Sequence, residues 1–256
     1  MVAEESKGML VRGLSILEYV AKAQPGTATV VAISEGTGLP KSTVYRLAST
    51  EREMGYLSYD ETTKSHSLGP KLFELAASHS ASRSLSQIAQ PAMEGLSCKT
   101  GETVQLSILS GSTALFVGRV SSPHAVTIRG NIGQAAPLYA TSTGKVLLAN
   151  LPEASREKLI DSIEFTAWTQ NTLTSKKDLE EELSSVLEQG FATANEEFDA
   201  GVVALGVPIA DAAGSVAAAI CISAPKYRTN MRALKKYLPD LKEAAQRIGL
   251  MLVGQN

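Results

Sequence analysis

Residues 41–46 read Lys-Ser-Thr-Val-Tyr-Arg. Two cations, two hydroxyls and a phenol in so short a stretch make a set of hydrogen-bond donors suited to phosphate oxygens and the edges of bases. On a helix, Lys41, Ser42, Thr43, Tyr45 and Arg46 occupy the first turns, opposite Val44 and Leu47. An arginine there can engage guanine O6 and N7 together, while serine and threonine hydroxyls donate to phosphates or bases. Further along, Lys64 and His66 are suited to hold backbone phosphates. An isolated Lys-Ser-Thr would read as the solvated face of a surface helix, so the surrounding elements must decide.

A second group, Ser142-Thr143-Gly144-Lys145, has the serine-x-x-lysine spacing of penicillin-binding acyl enzymes, and Lys99-Thr100-Gly101 even supplies their second triplet. In those enzymes the triplet follows the serine; here it precedes it, which argues against acyl transfer. Nor is Gly144-Lys145 a phosphate loop, because Val146 replaces the magnesium-binding hydroxyl and the upstream glycine is missing. His124 falls in an expected turn after Ser122-Pro123 and completes no Ser-His-Asp set. Glu180, Glu181 and Glu182 read as a solvated helix face, and no G-x-G-x-x-G follows a strand. What remains for Ser142 and Thr143 is binding: they open a helix whose first N–H groups lack intrahelical partners and attract an anion. The expectation is a binding protein rather than an enzyme, without a cofactor.

With 256 residues, 44 % of them apolar and 20 % charged, the chain has room for two globular domains. Cys98 and Cys221 lie far apart, and His66, His79 and His124 add no zinc-binding spacing, so reduced thiols and no metal are expected. The acidic start lacks the pattern of a secretory signal, and the longest apolar tract, residues 202–224, is broken by Pro208, Asp211 and Gly214. A cytoplasmic protein that does not engage membranes is the expectation. The formal charge of −2 neither supports nor excludes nucleic acid.

The elements that would carry these residues follow from periodicity. Residues 10–22 form an amphipathic helix with Leu10, Leu14, Leu17 and Ala21 on one face, ended by Gln24-Pro25-Gly26. A short helix over residues 29–36, a turn at Gly38 and a third helix from Pro40 to Met54, burying Val44, Leu47 and Ala48, give a helix-turn-helix. Residues 55–59 and 65–68 flank a polar stretch and read as a β-hairpin, the wing of a winged helix. A helix with Leu72 and Leu75 follows, then a serine-rich break over residues 78–84, then a helix with Leu85, Ile88, Ala92 and Leu96. Residues 1–70 are thus expected to be the DNA-binding domain, 71–84 a linker helix and 85–256 a separate, larger domain. In that last region Val104, Leu106 and Ile108 alternate with Thr103, Gln105 and Ser107, and residues 113–120, 202–209 and 215–223 are further strands. Helices over 142–150, 153–161 and 175–189, and one long C-terminal helix carrying Met231, Leu234, Leu238, Leu241, Ala245 and Ile248, complete an α+β domain on an antiparallel sheet.

The segment Thr37-Gly38-Leu39-Pro40-Lys41-Ser42-Thr43-Val44-Tyr45-Arg46-Leu47 resembles the recognition-helix signature of the IclR family of bacterial transcription regulators. Gly55-Tyr56-Leu57 and Ser67-Leu68-Gly69-Pro70 resemble that family's wing entry and exit. Thr100 through Leu106, Arg119-Val120, Ser122-Pro123-His124, Ala140 through Lys145, and Gly190-Phe191 through Glu196-Glu197 match in the same order. The resemblance spans about residues 10–245. Glu51 departs from it, standing where an apolar residue is usual on the buried side of the recognition helix; so do Ala32 and Gly36, which replace more polar residues.

The resemblance implies a winged helix-turn-helix joined to a GAF-like effector domain. It implies a regulator, repressing rather than activating, that binds a near-palindromic double-stranded operator as a homodimer or dimer of dimers. By resemblance the effector pocket is lined by Ser142, Thr143, Ala194, Ala204, Cys221 and Ser223, with Arg129 at its rim. Relatives that bind small keto acids carry more polar residues at the positions of Ala194 and Ala204. The implied effector is therefore a carboxylate or carbonyl compound with a sizeable apolar, even aromatic, part. For Cys221 alone, a plain core role is the competing reading, and Lys145 is expected to form a cap or salt bridge. The alternative function is a ligand-binding sensor or enzyme whose N-terminal domain only mediates dimerisation; salt-sensitive DNA binding separates the two.

Overall fold

The computed structural model describes residues 8–78, 80–128, 130–211 and 213–252, with residues 73, 76–78 and 80–84 described by their backbone alone. His79 and Arg129 lie outside the described residues. Contacts divide the chain into two units, residues 1–81 and 82–256.

The first unit contains α1 (Met9–Lys22), α2 (Val30–Thr37), α3 (Lys41–Glu53), β1 (Leu57–Asp60), β2 (Ser65–Leu68) and α4 (Pro70–Ser78). Its core is small: Ile16, Val20, Ala28, Ile33, Val44, Ala48 and Leu57. The inward face of α1 is thus the Ile16–Val20 side, whereas Leu10 and Leu14 are 75 % and 50 % exposed. Sequence periodicity offers both stripes, and it is packing on α2 and α3 that selects between them. Thr29 caps α2 by accepting from the Ala32 amide at 3.3 Å, and Gly38, with a φ of 72°, ends it in the left-handed conformation that makes the turn. Pro40 stands just outside α3 rather than within its first turn. Gly36 has a packing role that offsets its low helix propensity: a Cβ there would lie 2.0 Å from the ring of Tyr19.

Glu51 sits on the side of α3 that meets α1, its Oε1 2.9 Å from where a Cβ on Gly13 would stand. Its Oε2 is buried with no hydrogen-bond partner among the described residues. Burial pushes this carboxyl up to about 7, because the charged form loses hydration and gains nothing in exchange.

In the wing, β1 and β2 pair antiparallel from Leu57↔Leu68 to Asp60↔Ser65. Asp60 closes the turn by accepting from the Thr62 amide at 2.8 Å, and such bonds hold its carboxyl below the usual carboxylate range. A bridge between Thr29 and Ser65, with the His66 amide donating to Ala28 O at 2.9 Å, lashes the base of the wing to the α1–α2 connection.

Most of α5 (Ser80–Thr100) belongs to the second unit, so residues 80–84, expected as part of a break, are helical. Alanine, arginine and leucine interleave those serines, and their helix propensity outweighs the serines' preference for caps. There follow β3 (Thr103–Ser110), β4 (Thr113–Val120), β5 (Ala135–Pro137), α6 (Ser142–Ala149), α7 (Glu153–Asp161), α8 (Lys176–Gln189), β6 (Ala192–Asn195), β7 (Val202–Ala210) and β8 (Val216–Pro225). The expected single C-terminal helix is instead α9 (Met231–Leu234), a 3-10 turn and α10 (Leu238–Leu252). Pro239 explains the restart, since it donates no backbone bond and fits only a first helical turn.

The six strands form one antiparallel sheet in the order β5-β4-β3-β8-β7-β6. Val104, Leu106, Val203, Leu205, Ile220 and Ile222 cover one face against α5 and α10. The other face packs against α6, which lies on α8. Thr103, Gln105 and Ser107, the polar side of β3, are also buried and belong to this second face. Among the described residues no helix is long and apolar enough to cross a membrane.

Glu51 gives the first unit a pH-dependent stability. Its folded value, about 7, lies above its ordinary 4.5, so the folded state holds the extra proton. Stability is full below the lower value, falls as pH rises through that interval and levels off above it. Replacing Glu51 with leucine removes the decline, and amide protection across Val44–Ala48 at mildly alkaline pH rises roughly tenfold. Hydrogen exchange on the full chain measures both.

Candidate functional site

The outer face of α3 is built by what its inner face buries. With Val44 and Ala48 locked in the core, Lys41, Ser42, Tyr45 and Arg46 project outward and Thr43 is half-buried. Tyr45 is 70 % exposed, a large side chain that the core does not use. Lys64 is exposed in the wing turn, held there by a backbone with a φ of 52°. His66 is a correction: it is buried, its Nδ1 3.4 Å from Ala28 O and its ring against Tyr59, at 5.0 Å between centroids. The bridge to the α1–α2 connection turns it inward, and burial lowers its pKa, so it presents no cation to a phosphate. Arg52 stacks over Tyr59 with 5.7 Å to the ring centroid.

The second unit contains a cavity of about 650 Å³. Ser142, Thr143, Ala194, Ala204, Cys221 and Ser223, the six residues expected at an effector pocket, all line it. Strand register explains the convergence. Gln105 pairs with Cys221 across β3 and β8, Ser223 with Ala204 across β8 and β7, and Ala204 with Ala194 across β7 and β6. Directly paired residues share a face, so these side chains form adjoining rows on one surface. The first turn of α6 stands over them: Thr141 caps it by accepting from the Gly144 amide at 3.1 Å, and Ser107 donates to Thr143 Oγ1 at 3.2 Å. The amides of Ser142 and Thr143 belong to the partial positive end of that helix. Burial pushes the Cys221 thiol pKa up, which keeps it a neutral wall residue.

Residues singled out for no role complete the lining. Phe116, Ile128 and Phe198 supply apolar surface, while Gln105 and Arg119, paired with each other across β3 and β4, supply polar groups. The alternation of β3 already placed Gln105 on the polar side; what it could not show is that this side faces a cavity rather than solvent.

Lys145 is 1 % exposed and forms the salt bridge expected of it, to Glu182 Oε1 at 2.8 Å and Glu197 Oε2 at 2.9 Å. Glu182 is therefore a structural anion, not part of a solvated face. Glu197 also lines the cavity, with Phe198 and Asp199 beside it. Burial raises its pKa, and the neighbouring ammonium works against that rise.

Two family models match this architecture. The model for the IclR helix-turn-helix domain matches residues 9–61, and that for the C-terminal region of bacterial transcriptional regulator IclR matches residues 78–250. The chain belongs to the IclR family. It is 32 % identical to the HTH-type transcriptional regulator KdgR of Escherichia coli over 87 % of this chain and 85 % of that protein. It is 30 % identical to the transcriptional repressor IclR of the same organism, covering 96 % and 90 % of the two chains. The crystal structure of an IclR homologue from Microbacterium hydrocarbonoxydans complexed with 4-hydroxybenzoate superposes with a TM-score of 0.84 at 28 % identity, over 96 % of this chain and 99 % of that one. As an IclR-family member the chain is a DNA-binding transcription regulator with a C-terminal effector domain.

The buried lysine gives this domain a sharp mutational signature. Lys145→Met leaves Glu197 without its cation in a buried site and destabilises the second unit by about 3–5 kcal/mol. Urea unfolding followed by Trp168 emission measures the loss, and Lys145→Met/Glu197→Gln recovers a substantial part of it.

Proposed function

We propose that this IclR-family chain is a repressor released or retained at its operator by a small organic acid with an apolar body. The observation that carries the reading is the composition of the cavity: the N-terminal turn of α6 on one wall, and Ala194, Ala204, Phe116 and Ile128 on the others. A helix N-terminus favours a carboxylate. Two facing alanines provide space and no hydrogen-bonding partner, which suits a ring or alkyl chain. The 4-hydroxybenzoate complex of the Microbacterium homologue supports the aromatic end of this range.

In this reading residues 1–70 bind DNA, 71–84 link and 85–256 sense the effector and associate. The chain works in the cytoplasm as a homodimer or dimer of dimers, and its role is binding without turnover. Lys41, Ser42, Thr43, Tyr45 and Arg46 read the major groove, and Lys64 meets a phosphate. His66 steadies the wing from within and contacts no DNA. Two-fold symmetric half-sites follow from two-fold symmetric protein. The effector acts by binding the operator-competent and incompetent arrangements unequally.

Gel shifts with the protein's own upstream DNA test the regulator half. Binding is salt-sensitive, and Lys41→Ala/Arg46→Ala weakens it by roughly tenfold or more while the fold is kept. An unchanged shift in that variant refutes the assignment of α3. Calorimetry tests the sensor half: aromatic acids bind, and tight binding of glyoxylate alone refutes an apolar-bodied effector. Trp168, the single tryptophan, stacks edge-on to Phe198 at 5.1 Å, and Phe198 lines the cavity, so ligand binding is expected to alter its emission.

A further inference from the structure

The row that crosses the sheet at Gln105 ends in two donors that the protein itself leaves unused. Gln105 is 3 % exposed. Its Oε1 receives the Ser223 hydroxyl at 3.1 Å and the Cys221 thiol at 4.0 Å, which orients the amide and turns Nε2 the other way. Gly130 makes room for that nitrogen: its φ is 140°, and a Cβ there would stand 2.3 Å from Nε2. Among the described residues, Nε2 has no acceptor. Arg119, the cross-strand partner of Gln105, donates from Nη2 to Ile128 O at 2.7 Å, while its buried Nε likewise has no acceptor. Leaving a buried amide donor unpaired is costly, and a guanidinium donor more so. Both residues line the same cavity, so an oxygen brought in by its occupant would be the acceptor these donors lack.

We infer that Gln105 and Arg119 form a second oxygen-binding pole of the effector cavity, distinct from the α6 N-terminus, and that the effector is a two-ended acid. The inference rests on the reading of this cavity as the effector site and adds what its occupant must carry. The spacing of the poles follows from the strand. Ser107 touches Thr143 of the α6 turn at 3.2 Å. Gln105 lies two residues before Ser107 on the same face, about 7 Å along the strand. That is close to the span between the carboxylate and the para substituent of a single benzene ring. Phe116 and Ile128, apolar residues of the same lining, suit such a spacer. A carboxylate at one pole and a hydroxyl, carbonyl or second carboxylate oxygen at the other satisfies both.

Titration calorimetry of the full chain with benzoate, 4-hydroxybenzoate and terephthalate tests this. At least one of the two-ended acids is expected to bind tenfold or more tightly than benzoate. Gln105→Leu is expected to remove most of that advantage while affecting benzoate much less. The variant removes the acceptor of the Ser223 hydroxyl along with the unpaired donor, so a benzoate affinity held near the parent's is what separates a lost contact from a damaged fold. Arg119→Lys, which keeps the cation and loses the Nε donor, is expected to reduce the same advantage. Equal affinity of benzoate and both two-ended acids, or an equal loss for all three in Gln105→Leu, overturns the second pole and leaves the effector reading standing. No binding by any of the three at millimolar concentration, with glyoxylate bound, overturns both.

Discussion

Lys145 is a cation in a place that water does not reach, held there by ion pairs to Glu182 and Glu197. Those carboxylates come from α8 and from the segment after β6, so one ammonium group fixes three parts of the second unit at once. Desolvating such a cluster is expensive, and the geometry that offsets the expense is specific. The consequence is positional. The first turn of α6 is held at a set height over the sheet, and residues 197–199 are held against the cavity they help to line. Neither the alanine wall nor the polar row at Gln105 would define a binding site if the element above them were free to slide.

The DNA-binding unit follows a different economy. Its core holds seven fully buried apolar residues, and no buried ion pair occurs there among the described residues. Shape comes from main-chain ties instead: the cap at Thr29, the turn at Gly38 and the Thr29–Ser65 bridge that fastens the wing. Into this thin core α3 brings Glu51, whose unpartnered oxygen the core does not accommodate at alkaline pH. Small helical heads of this kind have little stability to spare, so one buried carboxyl counts for much.

How much of this was legible in the sequence depended on whether the governing contact was local. The Gly38 turn, the wing and the four long strands declared themselves through residue type and spacing. The six expected pocket residues, named by resemblance, do lie on one cavity. What stayed hidden required knowing what lies opposite a residue. His66 sits in a polar stretch and reads as exposed until Ala28 and Thr29 are seen across from it. β5 and β6 are short, alanine-rich edge strands with one β-branched residue, Thr193, between them, too little to announce a strand. Leu10 and Leu14 repeat as regularly as Ile16 and Val20, and only the position of α2 and α3 tells the stripes apart. Gln105 and Arg119 escaped attention because neither is unusual alone; their register across β3 and β4 makes them a pair.

The facing alanines on β6 and β7 carry a consequence for descent as well as for binding. Ala194 and Ala204 are register partners that both line the cavity. A larger side chain at either position would consume cavity and displace little else, so the penalty of overpacking is largely avoided. If the cavity holds the effector as proposed, duplicated copies of such a gene can diverge in the metabolite they report by single codon changes at these two positions. The same two positions give an engineer a coarse dial for ligand girth.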